Sequence, residues 1–190
     1  MDAIIRKLSP GASDMIRMDH TRVLAMFHRY DIEASPGTKA ALVKAICLAL
    51  EIHARIEEEI FYPAMRSVDP VLVERSVPEH DEMRRLMAAL RSMDPASAQF
   101  DTAFMDLMRI VIHHIADEET KLLPDAERVL GPRVSELGAE MSKRRRQLGG
   151  PRAGELAINA VRGMPGLAAG VVASVALLAY AMRRRHRQTM

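Results

Sequence analysis

The sequence predicts an all-α protein: an antiparallel up-down four-helix bundle, followed by a C-terminal amphipathic helix and a single hydrophobic helix. Three observations predict it. Good helix formers dominate, with Ala, Leu, Met, Arg and Glu abundant, aromatics at 4% and no Trp. Apolar residues recur at helical spacing along four long segments. Those segments are joined by short turns marked by Pro and Gly, which makes sequential helices antiparallel neighbours. Sustained alternation and Asn-Gly or Asp-Gly hairpin turns are missing from the sequence.

Pro10-Gly11 separates a short leading turn from the first helix, expected from about Ser13, an N-cap residue, to about Tyr30, with Ile16, Val23, Leu24 and Phe27 at helical spacing. Ser35-Pro36-Gly37 supplies a turn, a new N-cap and a proline at the first helical position. The second helix is expected over about Thr38 to Ser67, its stripe formed by Leu42, Ile46, Ala49, Leu50, His53, Ile56 and Ile60. Asp69-Pro70 opens a third helix to about Met93, which Pro78 is expected to interrupt and bend. Asp94-Pro95 leads into the fourth, about Ser97 to Leu130, closed by Gly131-Pro132.

A fifth, amphipathic helix from Pro132 to Gln147 ends in Lys143-Arg144-Arg145-Arg146, and Gly149-Gly150-Pro151 reads as a linker. Gly163 to Met182 is an uncharged run, twenty residues long, enough to cross ~30 Å of hydrocarbon as a helix. Arg162 and Arg183 to Arg185 flank it, and Gly166, Gly170 and Ser174 form a small-residue stripe suited to homo-oligomer contacts. The expected division is therefore a bundle at 1–130, a basic helix and linker at 131–162, and a transmembrane anchor with a basic tail at 163–190.

Charge divides along the same line. Residues 1–130 hold 22 acids against 16 Lys/Arg, a formal −6, while 131–190 hold 3 acids against 11 bases, a formal +8. A basic tail favours an anionic membrane surface; nucleic acid is the weaker partner, because no aromatics interleave with these bases. Met1-Asp2-Ala3-Ile4-Ile5-Arg6-Lys7 does not read as a secretory signal, so the bundle is expected on the cytoplasmic side of a membrane, held by a single-pass C-terminal anchor. Bases flank both ends of the apolar run, so the positive-inside rule does not decide its orientation. The single cysteine, Cys47, excludes an internal disulfide, and its apolar neighbours mark it as a small buried hydrophobe.

The chemistry lies in a repeat. His53 is followed by Glu57, Glu58 and Pro63; His114 is followed by Glu118, Glu119 and Pro124 at the same offsets. Each has another histidine upstream at matched distance, His20 and His80. A spacing of four puts imidazole and carboxylate on one helical face. One such pair usually marks a surface ion pair; two in register with matched upstream histidines point to a metal site. His113 with Asp117 has the same spacing, but only the frame at His114 reproduces the acid pair and the proline, which leaves His113 satisfied or facing outward. Two metals would each take two histidines, with Glu57 and Glu118 bridging. Glu58, Glu59 and Glu119 read as solvated or supporting acids, although Glu58 or Glu119 could complete a coordination sphere. The Glu-x-x-His pattern of ferritin-like bundles is absent, since Arg17, Leu50, Val77 and Val111 stand three residues before the four histidines. The zinc-protease His-Glu-x-x-His is absent as well.

The segments 51–63 and 113–124, together with His20 and His80, resemble the hemerythrin-like family, the HHE cation-binding domain, over about His20 to Pro124. The resemblance implies a hemerythrin-like bundle with two non-haem iron ions, oxo- or hydroxo-bridged, held by His20, His53, Glu57, His80, His114 and Glu118. It also implies binding of dioxygen, or handling of peroxide or nitric oxide, for sensing, delivery or detoxification, and the apolar run 163–182 places that role near a membrane. Peroxide removal in the manner of a catalase or peroxidase is the enzymatic alternative. An iron-handling or lipid-binding module without a redox role is the other. One position departs from the family: oxygen carriers have a further histidine one turn after the third-helix ligand, where this chain has Arg84. That leaves a coordination position open and puts reversible oxygen carriage in doubt. Tyr62, one turn past the acid cluster, is a further candidate to approach the metal.

Overall fold

The structure, a computed structural model, describes residues 10–150. Its helices are α1 (Ala12–Phe27), α2 (Pro36–Ile56), α3 (Tyr62–Met65), α4 (Pro70–Ser92), α5 (Ala98–Asp117), α6 (Leu123–Leu130) and α7 (Arg133–Gly149). No strand occurs among the described residues. α2 runs into α3, and α5 into α6, through π-helical turns at Glu57–Phe61 and Glu118–Leu122. The four arms of the bundle are thus α1, α2–α3, α4 and α5–α6, with α7 packed across α1 and α2.

Local chemistry explains the boundaries. Ser35, Asp69 and Ser97 each accept a hydrogen bond from the backbone N–H three residues on, capping α2, α4 and α5. α1 begins two residues earlier than the sequence suggests, with Gly11 in place of Ser13 in the cap position; Ser13 is buried within the helix, which ends at Phe27 rather than Tyr30. α4 runs continuously through Pro78, so the expected interruption does not occur. α6 stops at Gly131, whose φ of 50° is the left-handed conformation that a glycine adopts without steric cost. α7 then extends two residues past the predicted end, to Gly149.

The π turns have a common cause. Pro63 and Pro124 carry no N–H and cannot bond the carbonyls of Glu59 and Thr120 four residues back. The backbone takes up one extra residue instead, and the N–H groups of Tyr62 and Leu123 reach back five residues to the carbonyls of Glu57 and Glu118. The shift in phase turns Phe61, Tyr62, Leu122 and Leu123 inward, all at most 1% exposed.

Two apolar clusters fill the bundle. One gathers Phe27, Ile46, Leu86, Phe104 and Leu107; the other gathers Ile16, Ile56, Phe61, Met65, Leu123 and Met141. Cys47 lies in the first, where burial pushes its thiol up to about 12, an inert side chain as expected. Each bundle arm passes from one cluster to the other, and every crossing is marked by one of the six candidate ligands or by a histidine–glutamate pair.

The expected membrane anchor is not borne out. Among the described residues no helix is long and apolar enough to cross a membrane. The run 163–182 on which that expectation rested, with Gly166 and Gly170, lies outside the described residues. The structure therefore does not support a single-pass anchor or the placement beside a membrane that depends on it.

Candidate metal centre

The six predicted residues converge in the layer between the two clusters. His20 comes from α1, His53 from the end of α2, Glu57 and Glu118 from the π turns, His80 from the middle of α4 and His114 from the end of α5. All six are buried, and both glutamates are fully so. Glu57 Oε2 stands 3.2 Å from His53 Nε2 and 3.5 Å from His80 Nε2. Glu118 Oε2 stands 3.2 Å from His20 Nε2 and 3.6 Å from His114 Nε2. Two groups of potential ligand atoms result, His20–His53–Glu57–Glu118 and Glu57–His80–His114, with Glu57 common to both.

Each imidazole is aimed by a carboxylate behind it. Nδ1 of His20 meets Glu119 Oε1 at 2.8 Å, that of His80 meets Glu58 Oε1 at 2.9 Å, and that of His114 meets Glu79 Oε2 at 2.9 Å. Asp19 Oδ2 faces His53 Nδ1 at 3.5 Å, a longer, charge-to-ring contact that leaves this nitrogen without a hydrogen bond. A proton on Nδ1 directs the Nε2 lone pair inward, the tautomer that a metal requires. Glu58 and Glu119, read from sequence as supporting acids, do this work. Asp19 and Glu79 were not singled out; their adjacency to His20 and His80 in sequence is the only signal they carry, and the pairing that matters is with a different helix. Glu59 points away, to Arg55 and Arg144.

Arg84, at the position of the missing histidine, does not enter the site: it donates to Glu58 Oε1 at 2.5 Å and steadies the acid behind His80. Tyr62 does approach it. The phenol donates to Glu118 Oε1 at 3.0 Å and lies 3.4 Å from His80 Nε2. Its counterpart in the second half of the repeat is Leu123, so the near-twofold site has one protic side chain and no mirror of it. His113 lies on the surface, 3.3 Å from the far oxygen of Glu79, and Asp117 beside it is engaged by Arg75 and Lys121.

The donor set fits a cation. His20 Nε2, both oxygens of Glu57 and Glu118 Oε2 are buried without a hydrogen-bond partner. Nε2 atoms of His80 and His114 face each other at 3.1 Å, although both Nδ1 atoms already point at carboxylates. Facing lone pairs at that distance repel unless a cation or proton lies between them. Burial, reinforced by the charge of Glu118, holds the Glu57 carboxyl well above its ordinary range. Burial works the same way on Glu118, but the imidazoles of His114, His20 and His53 outweigh it and hold that carboxyl low. Burial also pushes His53 down to about 4, so this imidazole is neutral at pH 7. Uncompensated buried carboxylates are costly, and divalent cations would offset them.

A small cavity of about 10 Å³ borders His20, His53 and His114, with Val23, Leu50 and Val111 forming apolar wall. It has room for a ligand of about the size of one water molecule.

Comparison with known proteins bears on the family and the fold. A DNA nickase of Nostoc sp. (strain PCC 7120) is 29% identical over 154 residues, 78% of this chain but 44% of that protein, so the chain spans less than half of that relative's length. The crystal structure of a hemerythrin HHE cation-binding domain-containing protein from Mycobacterium kansasii superposes with a TM-score of 0.66 at 20% identity, covering 77% of this chain and 92% of that one, a likeness of fold. Residues 11–126, more than half of the chain and including all six converging residues, match the hemerythrin HHE cation-binding domain, and the chain belongs to that family.

Proposed function

We propose that this chain is a non-haem di-iron protein that binds dioxygen or a related small oxidant, peroxide or nitric oxide, for sensing, delivery or detoxification. His20 and His53 would hold one iron and His80 and His114 the other, with Glu57 and Glu118 available to both. The observation that carries the reading is the pair of buried His/Glu groups sharing Glu57, with every imidazole backed by a carboxylate. Imidazole with carboxylate suits iron, and bound iron would supply one-electron redox chemistry and a Lewis acid for a small oxygen or nitrogen ligand. The polypeptide contributes the rest. Val23, Leu50 and Val111 leave only a small, apolar-walled space beside the histidines. The carboxylates behind the imidazoles fix their direction, and the phenol of Tyr62 holds a proton next to Glu118.

The test is metal content with an absorption spectrum. Purified chain loaded anaerobically with ferrous iron should hold about two irons, and ferric absorption should develop on exposure to dioxygen. Fewer than one iron per chain, or a spectrum indifferent to dioxygen, overturns the reading. Replacing His53 or Glu118 with alanine should abolish loading.

Tyr62 favours a second reading, turnover of peroxide, because a buried phenol is a proton donor that simple reversible binding does not need. On this reading, adding hydrogen peroxide evolves oxygen. Glu57→Ala abolishes the reaction, and Tyr62→Phe slows it by about a hundredfold, the lower end of general-acid contributions.

A further inference from the structure

Behind each carboxylate that backs an imidazole stands a further cationic or imidazole group. Arg17 Nε lies 3.2 Å from Glu119, Arg84 is on Glu58, and His113 is on Glu79. These three come from the four-helix bundle. The fourth does not: Asp19, which faces His53, is gripped by Arg145 of α7, one guanidinium nitrogen 2.9 Å from Oδ1 and another on Oδ2, the same oxygen that faces His53 Nδ1. A forked, two-point grip fixes the plane of a carboxylate as well as its position.

α7 is built to hold Arg145 there. Leu137 and Met141 are buried in the second apolar cluster. Gly138 lies against the chain at Pro10 to Ala12, where an added Cβ would come within 2.2 Å of the Pro10 carbonyl oxygen. Arg144 makes a separate forked pair with Glu59. Two members of the basic run 143–146 are thus occupied by acids of the bundle. α7 also lies beyond residues 11–126, which match the family.

We propose that α7 is a working part of the metal centre, with Arg145 a positioning residue that acts through Asp19 on His53. Docking of this helix sets how tightly the His20/His53 half holds its cation, and leaves the His80/His114 half unaffected. The division into halves rests on the di-iron reading; the action on His53 does not. Without the guanidinium, the Asp19 carboxylate rotates toward solvent. His53 then loses the negative charge, 3.5 Å from Nδ1, that favours a proton on that nitrogen and a lone pair directed inward. Loss of a group that orients a metal-ligating histidine costs 10–100-fold in metal affinity, and a residue one contact further out is expected near the lower end, about tenfold.

The experiment uses the full chain with Arg145→Gln, Arg145→Lys and Arg144→Gln, each checked for unchanged helicity by circular dichroism. In the metal-free protein, nitrogen-15 NMR of the imidazoles reads the tautomer directly. Arg145→Gln should shift His53 from the Nδ1–H form toward a mixture and leave His80 and His114 unchanged. Arg145→Lys should restore it in part, and Arg144→Gln, which removes an ion pair from the same helix, should not alter it. Anaerobic titration with ferrous ion should then show one of two binding steps weakened about tenfold in Arg145→Gln only. An unchanged His53 tautomer overturns the proposal, as does equal weakening by Arg144→Gln. If the wild type takes up no second iron, the di-iron reading fails while the tautomer result still decides the role of Arg145.

Discussion

At the scale of single residues, the two bridging candidates are chemically unequal although the sequence repeats them. Glu118 receives the Tyr62 hydroxyl and the fields of three imidazoles, whereas Glu57 has no hydrogen-bond donor on either oxygen. In the metal-free chain Glu57 therefore keeps its proton well above 4.5, its ordinary value. A carboxyl whose folded pKa is raised contributes stability that is fully present below the unfolded value and is lost as pH rises through the folded one. Glu57→Gln removes that titration while keeping shape. The metal-free variant should match the wild type in urea denaturation near pH 4 and exceed it at pH 8, the gap growing by up to about 1.4 kcal/mol per pH unit. A wild type that gains on the variant as pH rises would reverse the assignment. The same proton must leave when a cation binds, as must any proton on His114, where burial is outweighed by the charges of Glu118 and Glu79, so calorimetry of ferrous binding in buffers of different ionisation enthalpy should find net proton release.

At the scale of elements, the arms are fastened away from the site by one buried ion pair. Lys39 on α2 meets both oxygens of Asp101 on α5, at 2.8 and 3.0 Å, and Tyr30, following α1, donates its phenol to the same carboxylate. Lys39 is 5% exposed, so Asp101→Asn leaves an ammonium buried without its counter-charge. Breaking such a pair costs about 3–5 kcal/mol, and the variant should show that loss in chemical denaturation at unchanged iron content. A loss below about 1 kcal/mol would show the lysine finding water. The bundle itself was legible in sequence because stripe, cap and turn signals agree at Ser35-Pro36, Asp69-Pro70 and Ser97. The six convergent residues were legible because a helical face fixes which side chains share a direction. The π turns were not: Pro63 and Pro124 were visible as a repeat, but a proline within a helix kinks it, ends it or inserts a residue according to packing elsewhere. The inward turn of Tyr62 follows from that insertion. Asp19, Glu79 and Arg145 were hidden for a similar reason, since each acts on a partner in another helix and no spacing along the chain encodes that meeting.

At the scale of the whole molecule, the layer of histidines and glutamates divides one apolar interior into two. Every arm carries apolar residues of one cluster, then a histidine or a histidine–glutamate pair, then apolar residues of the other. Such a layer can join the halves only when its polar atoms are satisfied; a partly satisfied buried network is worse than an apolar one. Without a cation the unpaired atoms of His20, Glu57 and Glu118 lie across the middle of the core. Metal removal should therefore weaken the junction more than either end. The end bearing α7 and both π turns should loosen first, because the opposite end keeps the Lys39–Asp101 pair and the packed rings of Phe27, Tyr30 and Phe104. With iron at a thousandfold excess over its Kd, linkage contributes about 4 kcal/mol, which for a domain of this size is roughly 10 °C in Tm. Hydrogen exchange of chelator-stripped chain should show protection falling in residues 56–65, 118–126 and 133–149 while residues 42–50 and 100–107 hold. Uniform loss along the chain would mean that the two clusters unfold as one, and that the layer between them carries no separate weight.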